Sequence, residues 1–371
     1  MGFKCPLVKT YINIQMKSFV SSFGIFICIC TSYLFLFTTN SCKKDENDLI
    51  PKEYPIKNYS PDVHFEITGR MMEGKYITSL EMDDKGNTWI ASGKDLYHYK
   101  NETLKESYTI DFQIIELSIA GDESLWIGTK DGGLGHLSER KFTWFTKANS
   151  NLPRDYISNV LVGLDGRVWF SSCQANAGGL MVYDGKEFKL FNPDNSILNQ
   201  YVIDDICIDQ EGAIYVVTQT YVTKSSVFRY LNNEWECLGN KNGTFYWVNG
   251  FNVGPSGTMY LIEDFTLSSA SGNINKVYTY SDSGWKILNT DFIDQKKLCV
   301  YTAKADMRNY CWLTSRVVSK TGYFLYVFNG EKWISSPEGI LPEDEIRVIK
   351  VDYDNNIWIG TAHNGIFVLK Q

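Results

Sequence analysis

The sequence predicts an all-β fold, a seven-bladed β-propeller of four-stranded antiparallel blades. Two repeated motifs and a lone strand before the first repeat support this prediction. The longer motif reads ITSLEMDDKGNTWIAS where it begins at Ile77 and IRVIKVDYDNNIWIGT where it returns at Ile346. Periods near 45 residues built from short strands are typical of propeller blades. The motif occurs seven times, and each copy carries one aromatic anchor: Trp89, Trp126, Trp169, Tyr215, Tyr260, Trp312 and Trp358.

Each copy of the motif has the same local pattern. An alternating strand comes first, followed by a turn of Asp, Asn or Gly such as Asp165-Gly166, and then a short apolar strand with the anchor. The second motif, YDGKEF from Tyr183 and FNGEKW from Phe328, places Asp-Gly or Asn-Gly between aromatic strands. Such dipeptides favour tight hairpins, so the second motif predicts the hairpin between the third and fourth strands.

The last repeat ends at Leu369 after three strands and therefore lacks a fourth. The segment VHFEITG at 63–69 precedes the first repeat and alternates like an outer strand. We expect this N-terminal strand to complete the last blade, which would close the ring and remove an open sheet edge.

The N-terminus has the features of an export signal. A largely apolar run from Phe19 to Phe37 follows Lys17 and leads to Cys42. Ser41-Cys42 before a charged stretch resembles bacterial lipoprotein signals, although Thr39 stands where Leu is usual. We therefore predict a lipoprotein signal at 1–41, lipidated Cys42 as the membrane anchor, a tether at 42–62 and the propeller at 63–371. An uncleaved anchor helix and a plain signal remain alternatives, as does a translation start at Met16.

Composition and charge exclude some partners. The net charge is −7, and it becomes −10 without residues 1–41, which hold three lysines and no acid. A nucleic-acid partner is not expected, because no basic stripe is present. The five cysteines after Cys42 form no C-x-x-C pair, so no metal site and no cofactor is predicted. Most are expected to be core residues; a Cys299–Cys311 bridge between two strands of one blade is the alternative.

The repeats LWIGTKDGGL at 125–134 and IWIGTAHNGI at 357–366 resemble the two-component regulator propeller repeat. The resemblance covers residues 76–370 and is weaker in the fourth to sixth repeats. Repeats of this type build the periplasmic sensor halves of hybrid histidine kinases in Bacteroidetes. The sequence has no kinase motifs, so the resemblance implies a free-standing outer-membrane lipoprotein on the cell surface or the periplasmic face, with a sensing or binding role.

Four histidines were considered as candidates for chemistry. His98 and His136 occupy equivalent places in third strands, which favours polar strand-face residues over a shared metal site. His363 lies in a loop of the last blade and is a better candidate for ligand contact. The DDKGNTW turn at 83–89 is similar to the Asp-box of sialidase-type propellers, but the arginine cluster and Tyr nucleophile of those enzymes could not be placed.

The loops between second and third strands lengthen in the third to sixth repeats, where they contain Tyr221, Phe265 and Arg316. Insertions gathered on one face of a repeat protein usually mark its binding side. We therefore predict that these residues and His363 contact a glycan, peptide or protein partner, with no catalytic residue. A propeller enzyme, either similar to streptogramin lyases or glycoside-active, and a structural subunit of an outer-membrane complex are the alternatives.

Overall fold

The computed structural model of the protein describes residues 57–174, 177–219, 224–239, 244–246, 248–263, 276–281, 283–288, 298–317 and 323–371. These residues form seven four-stranded antiparallel sheets, and none of them lies in a helix. Each sheet is one blade, so the predicted seven-bladed propeller is confirmed.

The blades follow one another along the chain, and each contains four strands in sequence order except the last. The strands are β1 (Ile67–Met71); in blade 1, β2 (Ser79–Met82), β3 (Asn87–Ser92), β4 (Asp95–Lys100) and β5 (Thr103–Thr109); in blade 2, β6 (Ile114–Ile119), β7 (Leu125–Thr129), β8 (Leu134–Ser138) and β9 (Lys141–Phe145); in blade 3, β10 (Val160–Val162), β11 (Val168–Gln174), β12 (Ala177–Tyr183) and β13 (Phe188–Phe191); in blade 4, β14 (Ile203–Ile208), β15 (Ile214–Thr218), β16 (Ser226–Leu231) and β17 (Glu234–Cys237). Blade 5 contains β18 (Val248–Val253), β19 (Met259–Glu263), β20 (Lys276–Ser281) and β21 (Gly284–Ile287). Blade 6 contains β22 (Leu298–Ala305), β23 (Cys311–Val317), β24 (Tyr323–Phe328) and β25 (Trp333–Ser335). Blade 7 contains β26 (Ile346–Val351), β27 (Ile357–Thr361) and β28 (Ile366–Leu369).

The predicted closing strand is present as β1, which pairs antiparallel with β28 and is the outermost strand of blade 7. It begins at Ile67 rather than at Val63 and extends to Met71. Val63 and Phe65, which precede it, pack against the core between blades 6 and 7. The chain therefore joins its N-terminal and C-terminal strands in one sheet, which closes the ring.

The hydrophobic cores lie between successive blades rather than within one sheet. One core joins Trp169 and Leu180 of blade 3 to Ile214 and Phe228 of blade 4. The equivalent core at the closure places Trp358 of blade 7 beside blade 1 residues. Burying aromatic side chains of this size is strongly favourable, so each blade is stabilised mainly by its two neighbours.

In four blades one aspartate in the turn between the first and second strands accepts hydrogen bonds from the amides two and four residues later: Asp83, Asp209, Asp306 and Asp352. In blade 7 the Oδ1 atom of Asp352 accepts hydrogen bonds from the backbone amides of Asp354 and Asn356, and Oδ2 accepts one from Trp358 Nε1 at 2.8 Å. Asp306 holds Trp312 Nε1 in the same way at 3.0 Å. The Asp-box-like pattern therefore supports the turn and the anchor, which is a structural role.

The predicted core position is confirmed for some of the cysteines. Cys207 and Cys311 are buried free thiols, and Cys237 is a half-buried free thiol. The alternative Cys299–Cys311 bridge is wrong. In the β22–β23 hairpin Cys299 lies opposite Arg316, whereas Cys311 lies opposite Ala305 at the other end.

Candidate functional site

The antiparallel order of the strands gives the propeller two different faces. We call one the loop face; it carries the connections between second and third strands, such as 362–365, and those between blades, such as 146–159. The other is the turn face, with the first-to-second-strand turns, such as 83–86, and the third-to-fourth-strand hairpins, such as 101–102. Two of the predicted ligand-contact residues, Arg316 and His363, belong to a strand end and a connection on the loop face.

Of the four predicted contact residues, the structure describes His363 in full and the backbone of Arg316. Tyr221 and Phe265 lie outside the described residues. Arg316 is not in a loop as predicted: it lies in β23 and pairs with Tyr323 in β24, because the alternating strand pattern continues past Ser315. Its side chain is outside the described part. His363 lies in the β27–β28 connection, as predicted.

His363 is held in a fixed orientation by a buried carboxylate. Its Nδ1 atom lies 2.9 Å from Oδ1 of Asp344, while 82% of its own side chain is exposed. A carboxylate accepts hydrogen bonds, so this contact favours the proton on Nδ1 and leaves Nε2 directed to solvent. Burial alone would raise the pKa of Asp344, but hydrogen bonds from His363, Thr361 and Asn364 hold it well below its usual range.

Three exposed tyrosines on the loop face were missed by the sequence reasoning. Tyr76, Tyr156 and Tyr246 lie in the connections that lead into β2, β10 and β18, and they are 38%, 43% and 52% exposed. Each stands one or two residues before the aliphatic residue that opens its repeat. This position could have identified the three tyrosines from the sequence, because an aromatic residue immediately before a core position points away from the core.

Two of these tyrosines have a cation over the ring. The guanidinium carbon of Arg347 lies 5.3 Å from the ring centroid of Tyr76, and Lys224 Nζ lies 4.4 Å from that of Tyr246. Arg347 also pairs with Glu345 at 2.5 Å. The loop face therefore combines aromatic surfaces with charged hydrogen-bonding groups, rather than forming one broad apolar patch.

A second feature is a cavity of about 360 Å³ on the propeller axis, lined by residues of the first strands. Lys350 of β26 lies in it, with its Nζ atom 3.2 Å from Glu81 Oε2 and 3.3 Å from Glu116 Oε1. Burial would lower the pKa of Lys350, but the charges of Glu81 and Glu116 outweigh burial and raise it. Burial also raises the pKa of Glu116, against the opposing effect of Lys350.

Two further carboxylates, Asp204 and Asp205, lie in the first strand of blade 4, and Asp205 lines the cavity. Burial raises the pKa of Asp204 and of Asp205 to about 7, and for Asp205 the charge of Asp204 adds to the effect. The β14–β15 register shifts between Ile203 and Asp205. Such a bulge redirects side chains, which places Asp205 among the residues that line the cavity.

The two matched histidines have structural surroundings. The His98 and His136 rings each stack on the tryptophan of their own blade, Trp89 and Trp126, with centroid separations of 4.2 Å. Burial lowers the pKa of both imidazoles. Within the described ranges no group of three or more His, Cys, Asp or Glu could hold a metal ion.

A family model described as "Two component regulator propeller" matches residues 340–363. This segment is similar to a two-component regulator propeller repeat. The matched segment spans β26 and β27 and includes Asp344, Lys350 and His363, so this repeat contributes to both the loop face and the axial cavity. No curated protein sequence matches the chain at a significant level.

Solved structures share the fold of this chain at low sequence identity. The BT3049 extracellular domain of B. thetaiotaomicron is 15% identical with a TM-score of 0.58, over 85% of this chain and 41% of its own length. PorZ, a surface component of the type IX secretion system of Porphyromonas gingivalis, is 14% identical with a TM-score of 0.56, over 80% and 46%. YCF48, solved bound to D1 peptide, is 14% identical with a TM-score of 0.56, over 86% and 99%. The chain thus spans less than half the length of the first two.

Within the described residues, no helix combines the length and apolar character needed to cross a membrane.

Proposed function

We propose that this propeller is an extracytoplasmic binding protein that captures a glycan or peptide ligand on its loop face, while lipidated Cys42 anchors it to the outer membrane. The observation that carries the proposal is the set of exposed tyrosines on that face, Tyr76, Tyr156 and Tyr246. Binding rather than catalysis is proposed because the charged groups described beside these tyrosines, Arg347 and Lys224, lie over aromatic rings.

Tyrosine is suited to such a surface for two physical reasons. It presents a large, rigid contact area at a low cost in side-chain entropy, and its hydroxyl group remains available for hydrogen bonds. Neighbouring charged groups, Arg347 at Tyr76 and Lys224 at Tyr246, supply hydrogen-bond donors to ligand oxygens. Sugar rings and extended peptides both offer apolar faces edged by polar groups, so they match this pattern.

The fold comparisons support an extracytoplasmic binding role without identifying the ligand. BT3049 is an extracellular domain, PorZ is a surface component, and the YCF48 structure holds a peptide. Closed propellers of this kind therefore occur outside the cytoplasm and can carry peptide ligands. The charged stretch after Cys42 supports display on the cell surface.

The test is a glycan array and a peptide array probed with the protein from Asp45 to Gln371, the compact unit, and with a Tyr76→Ala/Tyr156→Ala/Tyr246→Ala variant. The control is Leu104→Ala/Ile287→Ala, which removes side chains of similar exposure, 49% and 58%, from the outermost strands β5 and β21.

We expect the tyrosine variant to lose at least about tenfold in affinity, because central aromatic contacts each contribute more than about 1 kcal/mol to binding. The control should bind like the unmodified protein. Equal weakening of both variants would place binding at the blade edges, and no binding to either array at millimolar ligand would refute the proposed function.

A further inference from the structure

The axial cavity has a charge distribution that the proposed loop-face function does not explain. Residues at two levels of the first strands face the axis. Glu116 and Asp205 each stand ten residues before their anchor aromatic, whereas Glu81, Lys304 and Lys350 each stand eight before theirs. Carboxylates are therefore placed in blades 1, 2 and 4, and lysines are placed in blades 6 and 7.

One part of this charge is neutralised inside the protein. Lys350 contacts both Glu81 and Glu116 within 3.3 Å. The contact runs across the closure, since Glu81 and Glu116 belong to blades 1 and 2 and Lys350 belongs to blade 7. Lys350 therefore already has ionic partners and is not free to bind another anion.

The charges of Asp205 and Lys304 are not neutralised by ion pairs of this kind among the described residues. Oδ1 of Asp205 accepts a hydrogen bond from the backbone amide of Ile206 at 2.8 Å, and no ion pair involves Asp205 among the described residues. Lys304 likewise has no ion pair or hydrogen bond to the described residues, although it lines the same cavity. The positive charge of Lys304 attracts the Asp205 carboxylate and therefore opposes the upward shift in the pKa of Asp205. They are nevertheless more than 4.0 Å apart, the ion-pair limit.

A carboxylate that loses hydration is stabilised by a cationic partner. Burial raises the pKa of Asp205, which has no such partner among the described residues, and Lys304 of the same cavity has no anionic partner there. A ligand placed between them could satisfy both. An ammonium group on the ligand would complement Asp205, and a carboxylate on the ligand would complement Lys304. The volume of about 360 Å³ is within the range of small-molecule sites.

We propose that the axial cavity is a second binding site, which takes a small zwitterion of the α-amino acid class, with the ligand ammonium at Asp205 and the ligand carboxylate at Lys304. None of the three loop-face tyrosines is among the residues that line the cavity. It gives the propeller a small-molecule input in addition to its larger ligand.

The experiment is calorimetric titration of the protein from Asp45 to Gln371 with glycine, L-alanine and L-glutamate. Three comparison ligands each lack part of the pattern: N-acetylalanine has no ammonium group, whereas putrescine and glucosamine have ammonium groups but no carboxylate. The variants are Asp205→Asn and Lys304→Met, and the control is Asp184→Asn/Lys189→Met on the outer hairpin of blade 3.

We expect at least one amino acid to bind, N-acetylalanine and putrescine to bind at least tenfold more weakly, and each cavity variant to lose at least tenfold. The Asp205→Asn variant relieves a buried charge, so it should fold at least as well as the unmodified protein, and a thermal melt checks this.

Absence of amino acid binding at millimolar concentration would overturn the proposal, as would unchanged binding by Asp205→Asn. Tight binding of putrescine or glucosamine that survives Lys304→Met would overturn the zwitterion and indicate a simple amine site. The Tyr76→Ala/Tyr156→Ala/Tyr246→Ala variant should retain amino acid binding, so this inference and the proposed function can fail independently.

Discussion

Arg308 joins three separate parts of the chain at the turn face, and its replacement by alanine should destabilise the whole ring. Its side chain is 6% exposed and contacts the fully buried Asp306 at 2.7 Å. The guanidinium also donates to the carbonyl oxygen of Ser60 at 3.0 Å and to Oε1 of Gln371 at 3.2 Å. It therefore connects blade 6 both to the segment before the closing strand β1 and to the second residue after β28.

The magnitude follows from the charge left behind. Breaking a buried ion pair by removing one partner costs about 3–5 kcal/mol. Asp306 would keep the hydrogen bond from Trp312 Nε1 and those from the backbone amides of residue 308 and Tyr310. These remaining donors stabilise the carboxylate, so we expect Arg308→Ala to lower the free energy of unfolding by about 3 kcal/mol, at the low end of that range.

The assay is equilibrium unfolding in guanidinium chloride followed by tryptophan fluorescence. The matched control is Arg140→Ala, which breaks an ion pair of the same 2.7 Å length with Glu106, but at a side chain that is 75% exposed. Exposed pairs contribute about 0–1 kcal/mol. If the two variants differ by less than about 1 kcal/mol, the reasoning that Arg308 closes the ring through a buried pair is refuted.

Three further predictions follow from the same structure. Deleting residues 60–70 should unfold the protein, because it removes most of β1, whereas deleting residues 43–55 should leave the melting temperature unchanged; equal melting temperatures would contradict the closure. The pKa of Asp205 is raised from 3.8 to about 7 in the folded state, so its contribution to stability is complete below about pH 4 and is lost as pH rises through 7. Asp205→Asn should therefore flatten the fall in stability between pH 4 and 8, by up to about 4 kcal/mol, measured by denaturation at both pH values. Cys42→Ala should abolish metabolic labelling with palmitate and release the protein from the membrane fraction; labelling that persists would refute the anchor.

The sequence predicted the ring well because its signals are local. Each turn is specified by residues within one repeat: in blade 7, for example, Asn356 and Trp358 both donate hydrogen bonds to Asp352. The closing strand was also predictable, since a blade that lacks a strand must obtain one elsewhere. The exact end of β23 was not predictable, because period-two alternation does not distinguish a long strand from the first residues of a loop, and Arg316 was misplaced for that reason.

The binding features were harder to predict because they depend on the geometry of the closed ring. Glu81 and Lys350 are 269 residues apart and meet only because blade 7 lies beside blade 1. Tyr76 and Tyr246 become members of one surface only when all connections between blades are known to lie on the same face. The place of His363 in the β27–β28 connection was predictable, because that loop is part of the most regular repeat, whereas its buried partner Asp344 was not predicted.

The first strands show why charged residues can occupy the axis without loss of the fold. Their alternate residues, such as Leu117 and Ile206, are buried in the cores between blades, so packing fixes them. The residues just before them, Glu116 and Asp205, face the cavity and take no part in those cores. Small or neutral side chains there would avoid the cost of burying charge. Carboxylates kept at positions where they weaken the fold are expected at functional sites, and this cost is the physical reason to look for a ligand at the axis as well as on the loop face.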